Sequence, residues 1–139
     1  TNSAGTGAPS APSNSVTPRA NQTITFANPG AQTFGTTPTL AATASSGLAV
    51  SFTSATTAVC TVSGGGALTF VAAGTCTIDA DQAGNAAFNA ASTVTQSFAV
   101  NAIAPGAPTI GTATAGDAQA TVTFTAPASN GGAAITGYT

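Results

Sequence analysis

The sequence predicts an all-β chain, an antiparallel β-sandwich of about seven short strands with extended or partial β flanks. Three observations carry this expectation. Short runs of alternating apolar and polar residues recur from Thr23 to Val100, the two-residue period of a strand with one buried face. Breaks rich in Gly, Asn and Ala separate the runs at the close spacing of a sandwich. Threonine, which is β-branched and favours strands, occurs 27 times, and no window sustains a 3.6-residue period.

Each element follows from its own pattern. Thr23 to Phe26 puts Ile24 and Phe26 on one face; Thr39 to Ala44 does the same for Leu40, Ala42 and Ala44. Ala49 to Thr53 aligns Val50 with Phe52, and Ala58 to Ser63 aligns Cys60 with Val62. Gly64-Gly65-Gly66 reads as a hairpin loop into Ala67 to Ala72, where Leu68 and Phe70 share a face. Ala73-Gly74 is a second tight turn. Thr75 to Asp81 then sets Cys76, Ile78 and Ala80 against Thr75, Thr77, Asp79 and Asp81. Gly84-Asn85 ends this run, and Ala83 to Ala91 supports at most a single helical turn. Thr93 to Val100 aligns Val94, Phe98 and Val100, with Gln96 as the polar exception. The expected core is therefore Ile24, Phe26, Leu40, Val50, Phe52, Val62, Leu68, Phe70, Ile78, Val94, Phe98 and Val100, with Cys60 and Cys76.

Three segments result. Residues 1–21 are rich in Pro, Ser, Gly and Asn and read as a linker. Residues 22–101 hold the sandwich. Residues 102–139 open with a Pro/Gly linker and continue as a new set of strands, at 108–113, 120–125 and from Ile135 onward. Opening at Thr1 rather than Met, and stopping within a strand pattern, the chain is expected to be a segment of a longer protein.

Composition narrows function sharply. Arg19, Asp79, Asp81 and Asp117 are the only charged side chains, and Lys, His, Met and Trp are absent. One cation cannot neutralise several phosphates, which argues against a nucleic-acid partner. The many Ser and Thr hydroxyls have no His or Lys base to activate them, which argues against an enzyme. No run approaches the ~18 apolar residues of a membrane span, and no cofactor motif stands out. Only 23 of the 139 residues are Val, Ile, Leu or Phe, so the core is expected to be light. Because a low net charge favours association and edge strands here lack their usual Lys protection, packing of copies side by side or end to end is expected to be tolerated.

Two local constellations concern chemistry. Cys60 and Cys76 lie among inward-facing residues, sixteen positions apart. In a small secreted β-domain such a pair usually forms a disulfide; the plainer alternative is two buried thiols in a reducing compartment. Two thiolates without histidine lack the four ligands of a zinc site. Asp79, Asp81 and Gly84 occupy the first, third and sixth positions of a faint calcium-loop pattern. Ala83 and Ala90 stand at two of its other ligand positions, so half the charge is missing. The plainer reading is two carboxylates on a solvent face. Asn21-Gln22-Thr23 is a formal glycosylation sequon.

The residues from Gln22 to Val100, above all QTITF, LTFVAAGTCTI and AGNAAFNAA, resemble the immunoglobulin-like repeats of large bacterial surface proteins. The tail from Pro105 is similar to the opening third of a bacterial fibronectin type III domain, with APASNGGAAITGYT its most specific run and Phe124 where that family often carries Trp. The head, through Pro18, resembles the last loop and last strand of the same domain type, a rival to its reading as a linker. The resemblance implies an extracellular or cell-surface bacterial protein of alternating modules, whose partners are neighbouring copies or domains of the same protein, with filament self-assembly as one mode. The expected role is a non-enzymatic stalk, spacer or fibre subunit. The alternative is an adhesin module binding glycan or a host surface; the lack of an exposed aromatic cluster weakens it.

Overall fold

The structure is a computed structural model, and it describes residues 17–138. Most of the head segment, 1–16, and the final residue lie outside the described part. The described residues are all-β, with ten strands and no helix: β1 (Ile24–Phe26), β2 (Gln32–Thr33), β3 (Ala42–Ala44), β4 (Ser51–Ser54), β5 (Cys60–Val62), β6 (Leu68–Phe70), β7 (Gly74–Asp81), β8 (Val94–Asn101), β9 (Thr109–Gly116) and β10 (Gln119–Thr125).

The strands form one four-stranded sheet, in the order β2-β8-β7-β4, and three pairs, β1-β3, β5-β6 and β9-β10. Pairing is antiparallel throughout except between β2 and β8, which run parallel with Gln32 opposite Val100 and Thr33 opposite Asn101. The sequence pattern anticipates neither β2 nor this parallel contact. β2 is two residues long in a stretch rich in Gly, Pro and Thr, too short to display a period.

One apolar core unites the four-stranded sheet with β1-β3 and β5-β6. Its buried members include Ile24, Phe26, Leu40, Phe52, Leu68, Phe70, Ile78, Phe98 and Val100, with Cys60 and Cys76. Phe26 and Phe52 meet edge-to-face with ring centroids 5.4 Å apart, a favoured aromatic geometry. Along β7 the alternation holds from Thr75 onward: Cys76, Ile78 and Ala80 are buried, whereas Thr77, Asp79 and Asp81 are partly exposed. Three expected core residues, Val50, Val62 and Val94, are only half-buried. Each stands at a strand end, where neighbours thin out: Val50 just before β4, Val62 last in β5 and Val94 first in β8.

Polar side chains close the rim of this core. Gln22, buried just before β1, donates from Nε2 to Gln82 Oε1 (2.9 Å) and to the Asn89 carbonyl (2.7 Å), and its Oε1 accepts from Ser46 Oγ. Gln82 in turn donates to the Ala49 carbonyl (3.2 Å) and accepts from the Gly84 amide. The two amides tie together four stretches of chain. Gln96, the exception in the β8 pattern, donates to the Phe26 carbonyl (3.0 Å) and accepts from Asn28 Nδ2 (3.2 Å), so its polarity serves the end of β1.

The loops depart from expectation in three places. Residues 83–91 make bends and no helical turn; Gly84 (φ +77°) directs the chain so that Phe88 bridges Ala20. Residues 71–73 form no hairpin turn; they carry the chain from β6, paired with β5, to β7 in the four-stranded sheet. The strand expected from Ile135 is absent through Tyr138. The β9-β10 hairpin forms as the pattern at 108–113 and 120–125 requires, with a bulge where β9 meets Thr123.

Candidate functional site

The chemistry-bearing residues lie on β7 and its neighbours. Cys60 in β5 and Cys76 in β7 form a disulfide, with Cα atoms 5.7 Å apart. Both residues are wholly inaccessible to solvent. The bond ties the β5-β6 pair to the four-stranded sheet across the core. Hydroxyls surround it: Ser54 Oγ donates to the Cys60 carbonyl (2.7 Å), and Thr56 Oγ1 accepts from the Thr77 amide (2.8 Å). A cross-link so enclosed is structural, because thiol exchange needs access to sulfur.

Asp79 and Asp81 point away from the core on the outer face of the same sheet. In register, Asp79 sits between Thr53 and Thr95, and Asp81 is opposite Ser51. Thr95 Oγ1 donates to Asp79 Oδ1 and Thr93 Oγ1 donates to Asp81 Oδ1, both at 2.5 Å. One step along, Thr77 and Ser97 share a hydrogen bond of 2.9 Å. The result is a three-rung ladder of hydroxyl and carboxylate groups across β7 and β8. The structure brings the two sequence-predicted carboxylates together with threonine hydroxyls. Among the described residues, no group of three or more His, Cys, Asp or Glu side chains converges on a point that could hold a metal.

An open cleft of about 340 Å³ lies along the β3-β4 connection, walled by Ala42, Ala44, Leu48 and Val50. Its side chains are alkyl apart from Thr43, and backbone supplies the rest of its polar surface, so no side chain there is an acid or base. Asn21, the sequon asparagine, is exposed, and its Oδ1 accepts from Asn89 Nδ2 (2.9 Å). Among the described residues no helix is long and apolar enough to cross a membrane.

The β9-β10 hairpin presents a second kind of surface. Register puts Ile110, Ala113 and Ala115 beside Phe124, Val122 and Ala120 on one face, with threonines on the other. Ile110 is 77% exposed, Val122 54% and Phe124 52%. Tyr138 meets Phe124 edge-to-face at 4.6 Å and both rings are about half exposed, so an exposed aromatic pair exists where the sequence pattern predicts none. Alternation puts Val122 and Phe124 together but does not reveal the extent of this uncovered face, since it shows which residues share a side and not what covers it.

Compared with known proteins, the chain matches no family model and no curated sequence.

Proposed function

We propose that this chain is a non-enzymatic structural module of a bacterial extracellular or cell-surface protein: an immunoglobulin-like unit followed by the opening strands of a fibronectin type III-like unit, serving as stalk, spacer or fibre subunit. One observation carries the reading. The core is closed by a buried disulfide, while the outer sheet face carries hydroxyls and two carboxylates already engaged by threonine. On such a face the hydroxyls and carboxylates are hydrogen-bonded to one another along the sheet, and no histidine or lysine is present to activate a hydroxyl, which supports a structural role. The disulfide agrees with an oxidising compartment, and the resemblance of residues 22–100 to surface repeats points the same way.

The test pairs electron microscopy with glycan binding. Images of the purified chain are expected to show either filaments with an axial repeat of one or two modules, which makes it a fibre subunit, or separate short rods, which makes it a spacer. A glycan array probed with the same chain is expected to stay blank. Saturable binding of a defined glycan would overturn the structural reading in favour of an adhesin.

A further inference from the structure

The linker after β8, NAIAPGAP, has the composition of a flexible joint. The structure closes it. After β10 the chain folds back, and the loop Ser129-Asn130-Gly131-Gly132 seats itself on the central unit. The Gly131 carbonyl accepts from the Ile103 amide (3.0 Å), and the Gly132 carbonyl accepts from the Ala73 amide (2.8 Å). A third bond runs from the Gly106 amide to the Ser129 carbonyl (3.2 Å). The socket thus combines the chain leaving β8 with the crossover between β6 and β7. Phe34, just after β2, supplies its apolar wall.

The loop is shaped for this seat. Gly131 and Gly132 are both buried, with φ of +71° and +89°, a region that side-chain-bearing residues rarely occupy. A Cβ on Gly131 would lie 2.0 Å from the Ile103 carbonyl oxygen, and one on Gly132 would lie 2.6 Å from the Phe34 ring. Ser129 Oγ accepts from the Gly131 amide (3.2 Å) and Asn130 Oδ1 accepts from the Gly132 amide (3.0 Å), so the loop holds its own conformation. Backbone meets backbone here because two consecutive residues have no side chain.

We infer that the Ser129–Gly132 loop is a latch and that Phe34, Ala73 and Ile103 form its receptor, so that the C-terminal hairpin unit is locked to the central unit and does not swing on its linker. The latch stands on geometry alone; its use, stiffening the junction between successive modules, rests on the structural-module reading. A stiff junction conserves reach, since a chain of rigid bodies on free joints collapses toward a coil.

Amide hydrogen exchange followed by NMR on the full chain tests the latch directly. The Ala73 and Ile103 amides lie outside strands, and their partners are on the loop. Their exchange therefore reports docking alone. In the native chain both are expected to be protected. In Gly131→Ala/Gly132→Ala their protection is expected to fall about tenfold or more, while the Cys76 and Ile78 amides of β7 stay as slow as before. Gly137→Ala, a site with nothing within 4 Å, is expected to change neither. Exchange of Ala73 and Ile103 at unprotected rates in the native chain would overturn the proposal, as would protection unaltered in the double variant. Neither result would bear on glycan binding or filament formation, so failure of the latch is separable from failure of the functional reading.

Discussion

Removing the disulfide is expected to cost this protein a large part of its stability. The perturbation is Cys60→Ala with Cys76→Ala, or reduction of the native chain. The cross-link spans sixteen positions; closing a loop of that length constrains the unfolded chain by about 3 kcal/mol in the chain-entropy model. Natural domains are stable by only about 5–15 kcal/mol in total. A loss of this size corresponds to a melting-point drop of about 12 °C or more for a unit of this size. The two perturbations separate two causes. Reduced thiols keep the sulfur volume in the core and lose only the cross-link, whereas the alanine pair also leaves space where two fully buried side chains stood. Thermal and urea unfolding followed by circular dichroism should therefore rank the forms as native, then reduced, then doubly substituted. Because neither sulfur is accessible, reduction below the melting range is expected to proceed only as fast as the core opens. A reduced chain melting within about 4 °C of the oxidised one, a difference near 1 kcal/mol, would refute the reasoning.

Further expectations concern single residues. Ile78→Ala, at a fully buried position in the central sheet, should destabilise by about 2–5 kcal/mol in urea titration. Gln22→Ala removes one member of the rim network and leaves Ser46 and Gln82 short of a partner; a loss of about 1–3 kcal/mol in the same titration is expected. Ala118 in the β9-β10 turn has φ +53°, so Ala118→Gly should relieve the strain and slow amide exchange in the hairpin, a gain of about 1 kcal/mol. The chain has no histidine, lysine or glutamate, and its urea midpoint should stay nearly constant between about pH 5 and 9. Trypsin has one site, after Arg19. Ala20 is bridged to Phe88 and bonded to the Ala87 carbonyl, so mass spectrometry should show that cut slowed until the 84–91 loop is unfolded.

Much of this architecture was legible from local pattern. The inward set on β7, the location of both cysteines among core residues and the Gly64–Gly66 loop all follow from alternation and turn chemistry, which act over a few residues. What escaped is non-local. β2 pairs with β8 across nearly seventy positions, and a two-residue strand has no period to announce it. Gln22, Gln82 and Gln96 look like ordinary surface amides; their value lies in the carbonyls and amides that the fold brings to them. The Asn130-Gly131-Gly132 run reads locally as a loop, and nothing near it in sequence names Phe34, Ala73 or Ile103 as its seat. For the carboxylates, composition discouraged a cation site, but the threonine partners of Asp79 and Asp81 depend on the register between β7 and β8.

The parallel contact between β2 and β8 has a mechanical meaning. β8 is the last strand of the central unit, β2 follows β1 near its start, and the two point the same way. Once the Ala20–Phe88 bridge and the β1-β3 pairing have given way, tension drawn on the two ends pulls β2 and β8 in opposite directions along their own axes. Their hydrogen bonds, with the bond from the Phe34 amide to the Asn101 carbonyl (2.9 Å), are loaded side by side in shear and must yield together. An antiparallel hairpin pulled from its open end would instead unzip one bond at a time. From that point on, this small patch resists lengthening as one unit.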